Sequence, residues 1–224
     1  DWSPNTTDLR WTWTSEVTKY DTDGAEIENR DALGRFSSAQ FAYRSNLPVA
    51  VAANSMHKEM GYEGFEDGKL EYCLRRHFNF DEFANSVTDD FAHTGWYSMY
   101  VGPQSNVYMN RCMTPKIPAE GTEYAIPFVI HDADYIGYFS PNSNESSDKK
   151  FVLSFWVKVG DSWGSLSTYS NVGAELFVNS SQLSSTLTKS KIIDGWQQYT
   201  YVFTVPASST GNFKLNLVNN NSST

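Results

Sequence analysis

The side chains best suited to chemistry in this chain are aromatic rings: 13 Tyr, 14 Phe and 7 Trp in 224 residues. A sugar presents flat C–H faces, so an exposed Trp or Tyr beside hydrogen-bonding side chains makes a binding arrangement. In FVLSFWVKV, residues 151–159, strand alternation puts Phe151, Leu153, Phe155 and Val157 on a core face. Ser154, Trp156 and Lys158 fall on the other. By the same parity Trp96, Ser98 and Tyr100 share a face, as do Gln198 with Thr200 and Lys214 with Asn216. Where those faces coincide, Trp156, Gln198 and Asn216 form a glycan groove, with Trp96 and Tyr100 as further rings. Trp163, in the loop GDSWGS, offers a ring at a loop tip. The competing reading has residues 1–60 cover Trp156 and makes Trp196 a packing residue.

Carboxylates carry less. Asp132 with Asp134, Asp89 with Asp90, and Asp21 with Asp23 could be taken for acid/base pairs of glycoside hydrolysis. Neighbouring acids in turns are ordinarily solvated, however. His93, Ser98 and Asp90 lack a nucleophile elbow, so His93 reads as a turn residue that packs or hydrogen-bonds in the loop before its strand. The expectation is a non-catalytic chain. Cys73 and Cys112 suit either a disulfide of an extracellular sandwich or two buried thiols of a cytosolic one. With His57, His77, His93 and His131 scattered, they do not make a structural zinc site. A net charge of −9 argues against nucleic acid or an anionic membrane as partner. With no apolar run of about 18 residues, no membrane insertion is expected, and the opening DWSPNTTD lacks the regions of a signal peptide.

The elements that must position these rings are read from period-two patterning. The relay is GYEGFEDG (61–68), AHTGWYSMYV (92–101), FVLSFWVKV (151–159), DGWQQYTYVFTVP (194–206) and NFKLNLV (212–218). Four of these segments alternate apolar and polar residues, and the first supplies an acidic turn. Half-buried strands joined by Gly, Pro, Ser and Asn-rich turns describe an all-β chain, an antiparallel sandwich. Phe78, Phe80 and Phe83 suggest a further strand or edge, and 123–140 one or two more. Loops are expected at 141–150, 160–171 and 179–190.

Residues 1–60 differ in character. They predict a hairpin turning at DTDG (21–24), a second turn at Ala32-Leu33-Gly34, an extended Leu47-Pro48-Val49 and a helical turn within 51–60. Their apolar residues are too few for an independent core, so this β-rich extension is expected to pack on a neighbour or to belong to an upstream domain. After NFKLNLV comes NNNSST, where a sandwich would ordinarily continue into a closing strand.

Two resemblances follow from these residues. Phe65-Glu66-Asp67-Gly68, Ala92 to Ser98, Leu153 to Lys158, and Gly195-Trp196-Gln197 running to Val205-Pro206 make 61–224 resemble the jelly-roll carbohydrate-binding-module superfamily. That resemblance implies an antiparallel jelly-roll β-sandwich that binds a polysaccharide or surface glycan. It also implies a structural calcium held by the first-strand acids, Glu66 with Asp67, together with backbone carbonyls and a last-strand Asp. The last-strand Asp is not in this sequence. Residues 14–66 resemble a junction in very large Bacteroidetes surface proteins that often also carry Rhs/YD-type repeats. This implies a secreted or cell-surface parent whose other domains are partners of this one. The alternative expectation is a spacer or packing domain of an Rhs-like assembly.

Overall fold

The computed structural model describes residues 12–21, 23–43, 46–66, 78–113, 146–160 and 163–222. Four strands form an antiparallel meander in chain order: β1 (Ser15–Tyr20), β2 (Glu26–Asp31), β3 (Phe36–Ala42) and β4 (Leu47–Ala53). Its tight turns are where the sequence predicts them. Asp21 Oδ1 accepts the N–H groups of Asp23 and Ala25 at 2.9 and 2.7 Å, and Gly24 supplies a φ of 88°. Asp31 repeats the device at the next turn, accepting the N–H groups of Leu33 and Arg35. The Arg35 backbone N–H, and then its guanidinium, hold the Asp31 carboxyl below its ordinary range.

The meander buries few apolar side chains, Ile27 and Ala42, and more polar ones. Ser38 and Gln40 are buried on it, and Gln40 exchanges two hydrogen bonds with the Tyr62 backbone, 2.9 and 3.0 Å. Buried Glu28 accepts from the Thr18 hydroxyl, the Lys19 ammonium and the His57 N–H. The sheet thus leans on the strap at 55–62 instead of enclosing an apolar core, as its composition predicts. The strap carries a single 3-10 turn at His57–Glu59. Glu59 is tied to the body beyond it by the Lys149 ammonium, 2.8 Å.

That body is built from β5 (Val87–Thr88), β6 (Ser98–Met99), β7 (Ser105–Cys112), β8 (Lys149–Val157), β9 (Val172–Val178), β10 (Ser181–Gln182), β11 (Ser185–Lys189), β12 (Gln197–Val205) and β13 (Asn212–Asn219). One antiparallel sheet has the order β10-β9-β13-β7 and a second β11-β12-β8, with β5-β6 a short ladder beside them. The two larger sheets face each other. Phe203 of β12 meets Phe213 of β13 at 6.3 Å between ring centroids, and the Ala174 N–H of β9 donates to Tyr201 Oη of β12 at 2.9 Å. Val107, Met109, Leu176, Tyr199, Val205 and Leu215 fill the space between them. Burying each large apolar side chain there contributes about 1.5–3 kcal/mol.

The architecture is all-β and sandwich-like, with the β-rich extension in front. Strands β8, β12 and β13 are where alternation predicts them; other segments differ. Residues 61–66 form no strand, and 67–77 lie outside the described residues. Of 92–101 only two residues pair, because Gly95 takes a φ of 82° and turns the chain. Phe78 and Phe80 are core, but a 3-10 segment, Asp81–Ser86, follows them where a strand was expected. The predicted loop at 179–190 contains β10 and β11. Ser185–Lys189 is an exposed edge strand whose polar side chains carry no burial pattern, yet it pairs with β12 along its length. Strand β13 is hydrogen-bonded on both sides, to β7 and to β9, so the centre of its sheet is occupied by the segment expected to precede a closing strand. The expected strands at 123–140 lie outside the described residues.

Candidate functional site

Antiparallel pairing of β8 with β12 sets Trp156 opposite Gln198 and Ser154 opposite Thr200. Phe151, Leu153, Phe155 and Val157 point into the core, so Ser154, Trp156, Gln198 and Thr200 lie on the outer face, as alternation predicts. Gln198 Nε2 donates to Ser154 Oγ at 3.0 Å, which holds an amide and a hydroxyl beside the ring. Trp156 keeps 36% of its surface exposed.

A loop spanning 89–97 is laid against this face. The His93 imidazole stacks on the Trp156 indole at 3.9 Å with an interplanar angle of 11°, and meets Trp196 edge-on at 5.5 Å. His93 Nδ1 is hydrogen-bonded to Thr94 Oγ1, 2.8 Å, so His93 both packs and hydrogen-bonds as the sequence reading has it. Lys158 Nζ sits 4.0 Å from the centroid of exposed Phe91, a cation–π contact. Trp96, at 76% exposure, projects from the same loop.

Glu66 holds the loop. Its Oε1 accepts the N–H groups of Trp96 at 2.7 Å and Tyr97 at 3.0 Å, two charge-assisted bonds across 30 residues of chain. Gly95 passes so close to this carboxylate that an added Cβ would strike Glu66 Oε1, and its positive φ independently favours glycine. The Glu66 carboxylate therefore anchors the loop through its own hydrogen bonds. Among the described residues no group of three or more His, Cys, Asp or Glu could hold a metal ion. Asp67, the second acid of the calcium expectation, lies outside them.

The structure brings together Trp156 and Gln198 but not Asn216. Asn216 faces outward, as alternation predicts, but from the opposite sheet. On β13 it lies between Glu175 of β9 and Tyr108 of β7, on the far side of the sandwich from Trp156. Tyr100 is exposed and follows β6; Trp96 precedes that strand, so a shared strand face does not relate the two rings. Trp163 begins a 3-10 turn, Trp163–Ser165, and its ring lies outside the described side chains. The pairing of Cys73 with Cys112 lies outside them as well, as do Asp132 and Asp134. Asp90 Oδ2 accepts the Thr88 hydroxyl, and Asp21 caps its own turn.

Periodicity could not have found Phe91, the His93 stack or the anchoring role of Glu66, because loop residues carry no period. The nearest signal is the His-Thr-Gly-Trp run itself, a glycine between polar and aromatic residues. Comparison of the chain with protein-family models, with curated proteins and with solved structures finds no match to any of them.

Proposed function

We propose that this chain is a non-catalytic glycan-binding or adhesion module with a jelly-roll sandwich, part of a larger secreted or cell-surface protein. The observation that supports this is a solvent-facing ring cluster beside polar groups. Trp96 and Phe91 are exposed, and Trp156 presents an edge with the Gln198 amide and Ser154 hydroxyl next to it. In this reading a sugar stacks its C–H face on the free indole of Trp96 and runs along the rail of Ser154, Gln198 and Thr200. The His93–Trp156 stack is then a wall of the site and not its floor.

The test is a polysaccharide array probed with the 1–224 chain, repeated with Trp96→Ala and Trp156→Ala. Binding that falls about tenfold or more in the variants supports the reading. Absence of binding to every polysaccharide overturns it.

One observation favours the second reading, a packing domain among the other domains of the same parent. Strand β4, LPVAVAA, is uncharged, is an edge strand among the described residues, and leaves Val51 exposed. That reading predicts no glycan binding and association with a neighbouring domain that Val51→Lys abolishes.

A further inference from the structure

The outer face of the β10-β9-β13-β7 sheet carries a row that nothing in the Trp156 site uses. Strand register aligns Glu175, Asn216 and Tyr108 across three neighbouring strands, and Lys214, two residues before Asn216, shares their face. Asn216 is only 6% exposed. Its Nδ2 donates to Glu175 Oε2 at 3.0 Å. An ionised carboxylate only accepts, so this bond fixes which way the amide is turned. The Asn216 Oδ1 is left without a hydrogen-bond partner. A buried acceptor in that condition is destabilising unless something donates to it. The Lys214 ammonium, on the same face, is instead 4.6 Å over the Tyr108 ring.

We propose that this row is a second ligand site, for the hydroxyls of an uncharged sugar. A vicinal diol can donate one hydrogen bond to Asn216 Oδ1 and another to the Glu175 carboxylate once Lys214 swings aside. Displaced Lys214 then donates to a ring or hydroxyl oxygen. The Glu175 carboxylate and the Lys214 ammonium balance, so the row carries no net charge and suits a neutral polyhydroxylated ligand. The site does not rest on the reading of the Trp156 face; it lies on the other sheet and uses its own residues. Occupied together, the two faces would make one domain a cross-link between two glycan chains.

The experiment is a titration of isotope-labelled 1–224 chain with neutral oligosaccharides of glucose, xylose and mannose at millimolar concentration, followed by NMR at side-chain amides and indole N–H groups. Expected is a saturable shift of the Asn216 side-chain amide and of the backbone amides of Glu175 and Lys214 with at least one sugar. Asn216→Leu removes the orphaned acceptor, so it should keep or raise Tm while weakening binding at this face about tenfold or more. Trp156→Ala should leave this face's response intact. If the indoles stay silent while Asn216 responds, the reading of the Trp156 face fails and this site stands. No saturable shift at Asn216 with any of the sugars, or a response that survives Asn216→Leu, overturns the proposal and leaves the acceptor to water.

Discussion

Replacing Glu66 by alanine is expected to release the aromatic loop without unfolding the sandwich. Two backbone N–H groups, of Trp96 and Tyr97, donate to one Glu66 oxygen at 2.7 and 3.0 Å. Hydrogen bonds to a charged group contribute about 1.5–3 kcal/mol each, and water can reach this partly exposed site, so the lower figure applies. The pair then holds the loop by about 3 kcal/mol, and its loss raises the open population about a hundredfold. Amide hydrogen exchange reads this directly. The Trp96 and Tyr97 amides should lose about a hundredfold in protection, while those of Tyr199 and Phe213, in the core strands, change little. Glu66→Gln keeps a neutral acceptor in place and should fall between, near a tenfold loss. Exchange at Trp96 and Tyr97 within about threefold of the parent chain would refute the anchoring argument. A chelator added to the parent chain separates the carboxylate's own role from a calcium's: the anchor argument expects no change. If chelation alone exposes the same two amides, a cation and not the direct bonds holds the loop.

Gly95→Ala should mimic Glu66→Ala at the same amides, since a Cβ collides with the carboxylate and the φ of 82° disfavours alanine; normal protection would count against the geometry. Gln197→Leu leaves the Tyr169 N–H, the Thr168 hydroxyl and the Ser190 carbonyl without their 2.8, 3.1 and 2.6 Å partners at a buried position. The expected cost is about 3 kcal/mol, a fall in Tm of roughly 6–12 °C by calorimetry, and a fall under about 2 °C would refute it. Burial pushes the Tyr199 phenol up to about 12, and the Tyr169 and Tyr201 phenols also rise. The folded state therefore keeps protons that the unfolded chain releases near pH 10. For Tyr199 this stabilisation is full below about pH 10 and is lost as pH climbs toward about 12, at about 1.4 kcal/mol per pH unit. Urea unfolding at about pH 9 and about pH 11 checks the sign: equal stabilities would contradict it, and Tyr199→Phe should flatten the slope.

Alternation along β8, β12 and β13 was legible because each strand has one face on the core, and the inward residues Phe155, Tyr199 and Leu215 are large and apolar. Parity says which side of its own sheet a residue occupies. It does not say which sheet that strand joins, and Asn216 shows the difference: right about facing outward, wrong about its neighbours. Strand β11 was illegible because an edge strand with an exposed polar face has no burial pattern to betray it. Strands β7 and β9 drew no expectation because their core residues Val107, Met109 and Leu176 alternate with outward-facing Tyr108 and Phe177, which blurs the contrast between the two faces. In the meander the turns were legible because Asp and Gly act locally, through hydrogen bonds two to four residues long. The candidate site was half legible. Trp156 and Gln198 lie on strands and obey the period, whereas His93 and Phe91 reach the face through a loop whose path is fixed by Glu66, far away in sequence.

The place of β13 in its sheet has a kinetic consequence. It is the last described strand along the chain, yet β7 and β9 are both zipped to it, and no ladder joins those two strands to each other. Closures such as Asn219 Nδ2 to the Val101 carbonyl, 118 residues back, wait for it too. Until this strand arrives, two apolar-backed strands stand with unpaired edges in a half-built sheet. Pairings this distant in sequence are slow to form. During synthesis the sheet should therefore dwell in an open, aggregation-prone form and close late, as a single event.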